Sequence, residues 1–308
     1  MSRHHYQKLG RIYAVDSQQS WKSAYAYVPT PYRVSEDRIR LYCAYRDEDD
    51  VGRVGFVDVD ADEPTTVVDT ATEPVLDTGD RNAFDHYGVS PASVVEIGDS
   101  LGLFYFGWDR PEEVRYTMFA GLALSNDGGD SFQRYSDEPI LPPIEGERYA
   151  RSAPFVIRCN GKYHMYYVAG DEWIAVDGQK VPTYNLKYKQ SSDGLYWDDG
   201  PGETVLELDG EDEYGFGRPF AIHEKGVVKL WYSVRTRSKG YRIGYAESTN
   251  GTDFVRMDEQ VDIDVSPSGW DSEMVCFPGV IDAGDGHRYM FYNGNGYGKT
   301  GIGAARLE

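Results

Sequence analysis

The sequence is short of cysteine, of long apolar runs and of positive charge, and each shortage excludes something. Cys43, Cys159 and Cys276 are its only cysteines. Three widely spaced thiols have no metal-ligand spacing and are too sparse for a disulfide framework. They read as small buried hydrophobes in a reducing compartment. No stretch approaches about 18 apolar residues, which excludes a membrane-spanning helix. The first ten residues, MSRHHYQKLG, have basic character but no apolar run behind them, so no secretory signal is expected. Lys and Arg number 31 against 51 Asp and Glu, a formal charge of −20. Such a field repels phosphate backbones and anionic lipid, which argues against nucleic-acid and membrane partners; the sparse thiols and the missing signal make a cytoplasmic protein the expectation. Sustained helical periodicity is missing as well.

What the chain has instead is a repeat. Proline-marked segments recur as VPTPYRV around Pro31, VSPASVV around Pro91, SAPFVI around Pro154, GRPFAI around Pro219 and CFPGVI around Pro278, at intervals of 60, 63, 65 and 59 residues. After each comes a polar turn of hairpin chemistry. An aromatic-rich run follows: 38–45, 100–108, 162–170, 227–234 and 287–295. A third apolar strand completes each unit. In three units it leads into a matching turn, SNDGGDSF (125–132), SSDGLYW (191–197) and STNGTDF (248–254), whose Asp-Gly and Asn-Gly pairs suit positive φ. Twenty-five tyrosines, with Val and Ile, favour pleated strands.

Five repeats of four short antiparallel strands predict an all-β fold, a five-bladed β-propeller forming a single domain over 1–308. The blades fall at roughly 20–80, 81–140, 145–205, 210–265 and 268–308. The last unit stops after its third strand, so an N-terminal strand within 10–16 is expected to close it and remove the open edges. A pair of β-sandwiches split near residue 140 would leave the fivefold spacing unexplained.

In such a fold the start of each first strand and the end of each second strand meet at one mouth of the central channel. The polar residues of interest concentrate there. Before the prolines stand Tyr25, Asp85 with His86, Arg151, Glu213 with Arg218, and Asp271 with Glu273. After the aromatic runs stand Arg46 with Asp47, Trp108 with Asp109, Trp173, Arg235 and Asn293. Asp85 and Glu213 each lie six residues before their proline, Glu273 five and Asp271 seven. That shared phase marks Asp85, Glu213, Glu273 and Asp271 as the candidate catalytic carboxylates. Paired carboxylates can protonate a glycosidic oxygen and activate water or attack the anomeric carbon. Arg46, Arg151, Arg218 and Arg235 are candidates for holding an anionic part of the substrate. Trp108, Trp173 and Trp270 are candidates for stacking on sugar rings. Tyr25, Asp47, His86, Asp109 and Asn293 complete the expected substrate-binding set.

Through FDHYGVSPAS (84–93), YRIGYAESTNGTDF (241–254) and WDSEMVCFPGVI (270–281), the chain resembles the five-bladed β-propeller glycosidase superfamily of glycoside hydrolase families 43, 32, 68 and 130. The likeness spans the whole length and is nearest to glycosylase-like proteins of surface-polysaccharide gene clusters. It implies a carbohydrate-active enzyme acting at a glycosidic bond on a saccharide or sugar phosphate. The three-acid pattern of families 43 and 32 is broken here, with Tyr25 where an acid would open the first blade and Arg151 in the third. Family 130 implies the alternative: one essential acid, and arginines that hold inorganic phosphate as the attacking group. A glycosyl-transferring biosynthetic enzyme and a non-catalytic glycan-binding propeller stay open beside hydrolase and phosphorylase. The near match of Ser125, Asp127, Gly129 and Phe132 to a sialidase aspartate box reads as a turn element. GNGYGKTG (294–301) lacks the spacing of a phosphate loop. No cofactor is expected, although the resemblance leaves a calcium in the channel open; no D-x-D-x-D-G loop is present.

Overall fold

The computed structural model describes residues 4–16 and 19–308. Strands dominate it, with a 3-10 turn at Asp258–Gln260 and one short helix at Asn295–Gly298. The chain opens with β1 (His4–Tyr13) and then forms consecutive antiparallel meanders. The first is β2 (Ala24–Arg33), β3 (Arg38–Arg46), β4 (Gly52–Asp60) and β5 (Val67–Thr70). The second is β6 (Gly88–Ile97), β7 (Ser100–Asp109), β8 (Thr117–Ser125) and β9 (Gln133–Arg134). The third begins with β10 (Ala150–Cys159) and β11 (Lys162–Gly170). A separate hairpin, β12 (Trp173–Val176) and β13 (Gln179–Pro182), interrupts it before β14 (Asn185–Ser191) and β15 (Glu203–Leu206). The fourth is β16 (Glu213–Glu224), β17 (Val227–Thr236), β18 (Gly240–Ser248) and β19 (Val255–Arg256), followed by the short β20 (Val261–Asp262). The last is β21 (Cys276–Asp282), β22 (Arg288–Asn293) and β23 (Ile302–Leu307), and β1 completes it by pairing antiparallel to β23, Tyr6 opposite Leu307.

The first strands β2, β6, β10, β16 and β21 touch in a closed cycle, β21 returning to β2. Each carries a slip in register at its proline segment, between Tyr27 and Thr30, Pro91 and Ser93, Ser152 and Phe155, Gly217 and Phe220, and Cys276 and Gly279. At three of these bulges the residue before the proline has positive φ: Val28, Ala153 and Phe277. The first-meander counterpart of Pro154 and Pro278 is therefore Pro29, two residues before the proline that marks the sequence repeat. The second strands supply the core, with Tyr45, Tyr105, Tyr167, Tyr232 and Tyr292 all buried. The predicted turns form as expected. Asp127 accepts from the backbone of Asp130 and Ser131, and Phe132 and Trp197 bury their rings.

A buried strut repeats with the strands. The Tyr105 hydroxyl donates to Asp85, which is paired with Arg134 at 2.8 Å. Tyr167 donates to Glu147, paired with Arg151 at 2.7 Å and Lys187 at 2.8 Å. Tyr232 donates to Asp258, paired with Arg256, which also grips Glu213. Tyr292 donates to Asp271, paired with Lys8 of β1 at 2.7 Å. In four meanders the same position of the second strand thus meets a carboxylate that is neutralised by a cation.

Glu224, at the end of β16, ties the fourth meander to the last through Lys229 at 2.7 Å and Arg288 at 3.2 Å. Hydrogen bonds from these two cations hold its carboxyl down at about 2. A folded value below the unfolded one stabilises the fold above the ordinary carboxylate range, and that contribution fades as pH falls toward 2. The urea midpoint of wild type should therefore exceed that of Glu224→Gln at pH 6, with the gap closing between about pH 4.5 and 2. A gap independent of pH would contradict the assignment. Among the described residues, no helix is long and apolar enough to cross a membrane.

Candidate active site

A cavity of about 770 Å³ opens where the first strands begin and the second strands end, and all five meanders line it. Its floor follows from the bulges. Val28, Ala153 and Phe277, turned by positive φ, present their side chains there, and Arg218 occupies the same pre-proline position in the fourth meander. Of the nine non-glycine residues with positive φ among the described residues, six line this cavity: Tyr25, Val28, Asp50, Ala153, Phe277 and Tyr297. Strained backbone persists where the surrounding structure enforces it, and it gathers at working sites.

Arg218 is buried, and its guanidinium donates to the carbonyls of Pro29, Phe277 and Pro278, reaching across the channel to the first and last meanders. Burial lowers its pKa to about 9, so it is charged at neutral pH. Arg235, at the end of β17, lies among Tyr184, Tyr214 and Tyr241 at 5.1, 4.5 and 5.8 Å. Burial raises the Tyr184 and Tyr241 phenols well above their ordinary value, which keeps them protonated donors. On the opposite side Arg46, at the end of β3, stacks on Tyr25 at 4.7 Å and pairs with Asp50 at 2.7 Å. Arg110 approaches the same carboxylate at 3.5 Å. An aromatic wall joins the two sides: Trp108 against Tyr116 at 5.2 Å, and the Tyr116 hydroxyl 3.4 Å from that of Tyr184.

The cavity brings together Tyr25, Arg46, Trp108, Arg218 and Arg235 from the expected set. Trp173 lies just outside, in an adjoining cavity of about 590 Å³ that shares Arg115 and Gln179 with the main one. The four carboxylates in phase are not on the wall. Asp85 and Asp271 are buried in the struts, Glu213 is paired with Arg256, and Glu273 is exposed with its backbone held by Asn295 and Arg242. Arg151 is wholly engaged by Glu147 and the carbonyls of Pro142, Asp199 and Gly200. Asp47 caps its own turn and pairs with Arg53, and Asp109 accepts from the Arg110 backbone. His86 faces the Gly79 carbonyl. Trp270 packs on Tyr292, and Asn293 bridges Val28, Ala26 and Gly301. These residues hold the loops that surround the cavity.

Asp50, the cavity's one carboxylate, was not anticipated. It is the last acid of the run Asp47–Asp50, has positive φ, and lines the cavity at its rim with the side chain 55% exposed. Charge pattern alone ranks the four acids equally. Among the described residues, no group of three or more His, Cys, Asp or Glu is placed to hold a metal ion.

No model of a known family matches the chain. The protein Rv1502 of Mycobacterium tuberculosis (strain H37Rv) is 34% identical over 303 residues, 98% of this chain and 99% of that protein. The chain belongs to the Rv1502 family. Its fold is similar to that of solved glycoside hydrolases. A solved structure described as a glycoside hydrolase superposes with a TM-score of 0.78 at 17% identity, covering 100% of this chain and 92% of the other. Another, from work on the glycoside hydrolase family 130 of mannoside phosphorylases and its β-1,2-mannosidic hydrolases, gives 0.71 at 15% identity, covering 99% and 94%. The regular structure of this Rv1502-family chain is nearly all strand.

Proposed function

We propose that the protein is a carbohydrate-active enzyme acting at a glycosidic bond, as glycoside hydrolase or phosphorylase, and that its five meanders are the blades of one five-bladed β-propeller domain. The observation that carries the reading is the channel-mouth cavity, with aromatic rings, arginines and a single carboxylate, Asp50. Ring faces suit the C–H surfaces of sugars, and a cavity of about 770 Å³ accommodates a disaccharide-sized ligand. In this reading Asp50 exchanges a proton with the glycosidic oxygen or with attacking water. One carboxylate flanked by arginines favours phosphorolysis over the two-carboxylate scheme. Phosphate held beside Asp50 by Arg46 and Arg110 would form the new C–O bond to the anomeric carbon. The glycosidic C–O bond breaks, and the leaving oxygen takes the proton that Asp50 gives up. A cytoplasmic setting is part of the proposal.

Product analysis with activated aryl glycosides and sugar phosphates, each with and without inorganic phosphate, tests it. Sugar phosphate formed only with phosphate supports the phosphorylase, and free sugar in both conditions supports the hydrolase. A second reading, a glycan-binding module, is favoured by the engagement of all but one of the phased acids in ion pairs and hydrogen bonds. Binding without product would select it.

A further inference from the structure

Four arginines are buried among the described residues: Arg40, Arg151, Arg218 and Arg235. Two lie away from the cavity and are matched by acids, Arg40 by Asp58 and Asp130, Arg151 by Glu147. The two on the cavity wall have no carboxylate within ion-pair distance among the described residues. Among the described residues Arg235 makes a single hydrogen bond, to the Pro182 carbonyl, and its buried Nε–H meets no acceptor. The Nε–H of Arg218 is likewise unmatched. The wall as a whole carries five arginines against one aspartate, a formal +4 inside a chain of −20. A chain with acids to spare has left its cavity cationic. Leaving a buried charge uncompensated is costly unless a ligand supplies the partner.

We infer that the ligand of this cavity is an acidic saccharide whose carboxylate is gripped by Arg235. The inference rests on the proposed saccharide reading of the same site and names its substrate class. Arg235 belongs to the fourth meander and Asp50 to the first, which are not neighbours in the cycle of first strands. The carboxylate grip and the group beside the reacting bond are therefore separate poles of one cavity. A guanidinium fork flanked by the rings of Tyr184, Tyr214 and Tyr241 suits a planar carboxylate, with bidentate N–H donation in the plane between the rings. The neutral phenols of Tyr184 and Tyr241 can add O–H donors to the same oxygens. Arg115 makes no hydrogen bond or ion pair with other described residues, and it lies on the boundary between the two cavities, where a second acidic unit of an oligosaccharide would reach it.

The test is an array of uronic-acid oligosaccharides, each printed beside its carboxyl-reduced neutral twin, with inorganic phosphate as a soluble competitor. Binding confined to acidic members is expected. Arg235→Met should weaken it at least about 30-fold, because it removes one partner of a buried charge pair. Should Arg235→Met fail to fold, Arg115→Gln, an exposed substitution, is expected to weaken binding of the longer acidic members about 3–10-fold. Equal binding of acidic and neutral twins overturns the inference, as does silence toward every acidic member. Complete displacement by millimolar phosphate, lost in Arg235→Met, also overturns it and assigns Arg235 to phosphate. Neutral substrates cleaved without acidic preference would leave the enzyme reading standing while this one falls. Acidic glycans bound but never cleaved would do the reverse.

Discussion

Replacing Asp50 by asparagine is expected to lower turnover by roughly 10²–10⁴-fold, the range supplied by a positioned proton-transfer group, while the protein stays folded. Asp50 is more than half exposed and contacts Arg46 and Arg110 at the rim, so the core does not depend on it. Asparagine keeps the shape and one acceptor oxygen but cannot take or give the proton. The contrast that decides the matter is with Asp85→Asn, the substitution that sequence phase alone would single out. That variant should lose stability through Arg134 and Tyr105, yet its folded fraction should turn over normally. The reverse pattern, Asp50→Asn active and Asp85→Asn folded but dead, would move the chemistry out of the cavity. Folding is followed by near-ultraviolet circular dichroism and turnover by initial rates per folded molecule.

Glu147→Gln is expected to destabilise the fold by about 3–5 kcal/mol, the usual consequence of removing one partner from a buried ion pair. Glu147 is 1% exposed, Arg151 0%, and Lys187 also loses its acid. Set against a total of about 5–15 kcal/mol for a folded domain, that loss is large enough to read as a clear fall in urea midpoint. Arg151→Met added to Glu147→Gln should recover part of it, because the stranded guanidinium is then gone. A single-variant loss below about 1 kcal/mol would mean that water or rearrangement compensates the site. Activity per folded molecule should not change, because neither residue lines the cavity.

The struts explain what the sequence made legible and what it disguised. The repeat could be read because each first strand needs a proline-marked bulge and each second strand an aromatic row, and both needs write regular signals. The phase of Asp85 and Asp271 belongs to the repeated tyrosine–carboxylate–cation contact, whose fourth-meander member is Asp258, while Glu213 only shares its Arg256. Structural periodicity and catalytic registration look alike along the chain. Arg46, Trp108 and Arg235 were found because strand ends converge by geometry, whatever the chemistry. The tyrosine frame around Arg235 was hidden by number, since Tyr184, Tyr214 and Tyr241 are three among twenty-five. The β12–β13 hairpin, whose last carbonyl holds Arg235, lies outside the repeat and carried no signal of its own.

The pairing of β1 with β23 sets an order of events during synthesis. The strand that completes the final sheet is synthesised well before its partner. At about 5–20 residues per second, the interval is on the order of 15–60 s for a chain of this length. Throughout it, β1 is a nascent edge without its mate, and Lys8 cannot reach Asp271. Closure therefore waits until β23 has been made, and a proteolytic nick inside β1 would leave an open arc with β23 as a bare, sticky border.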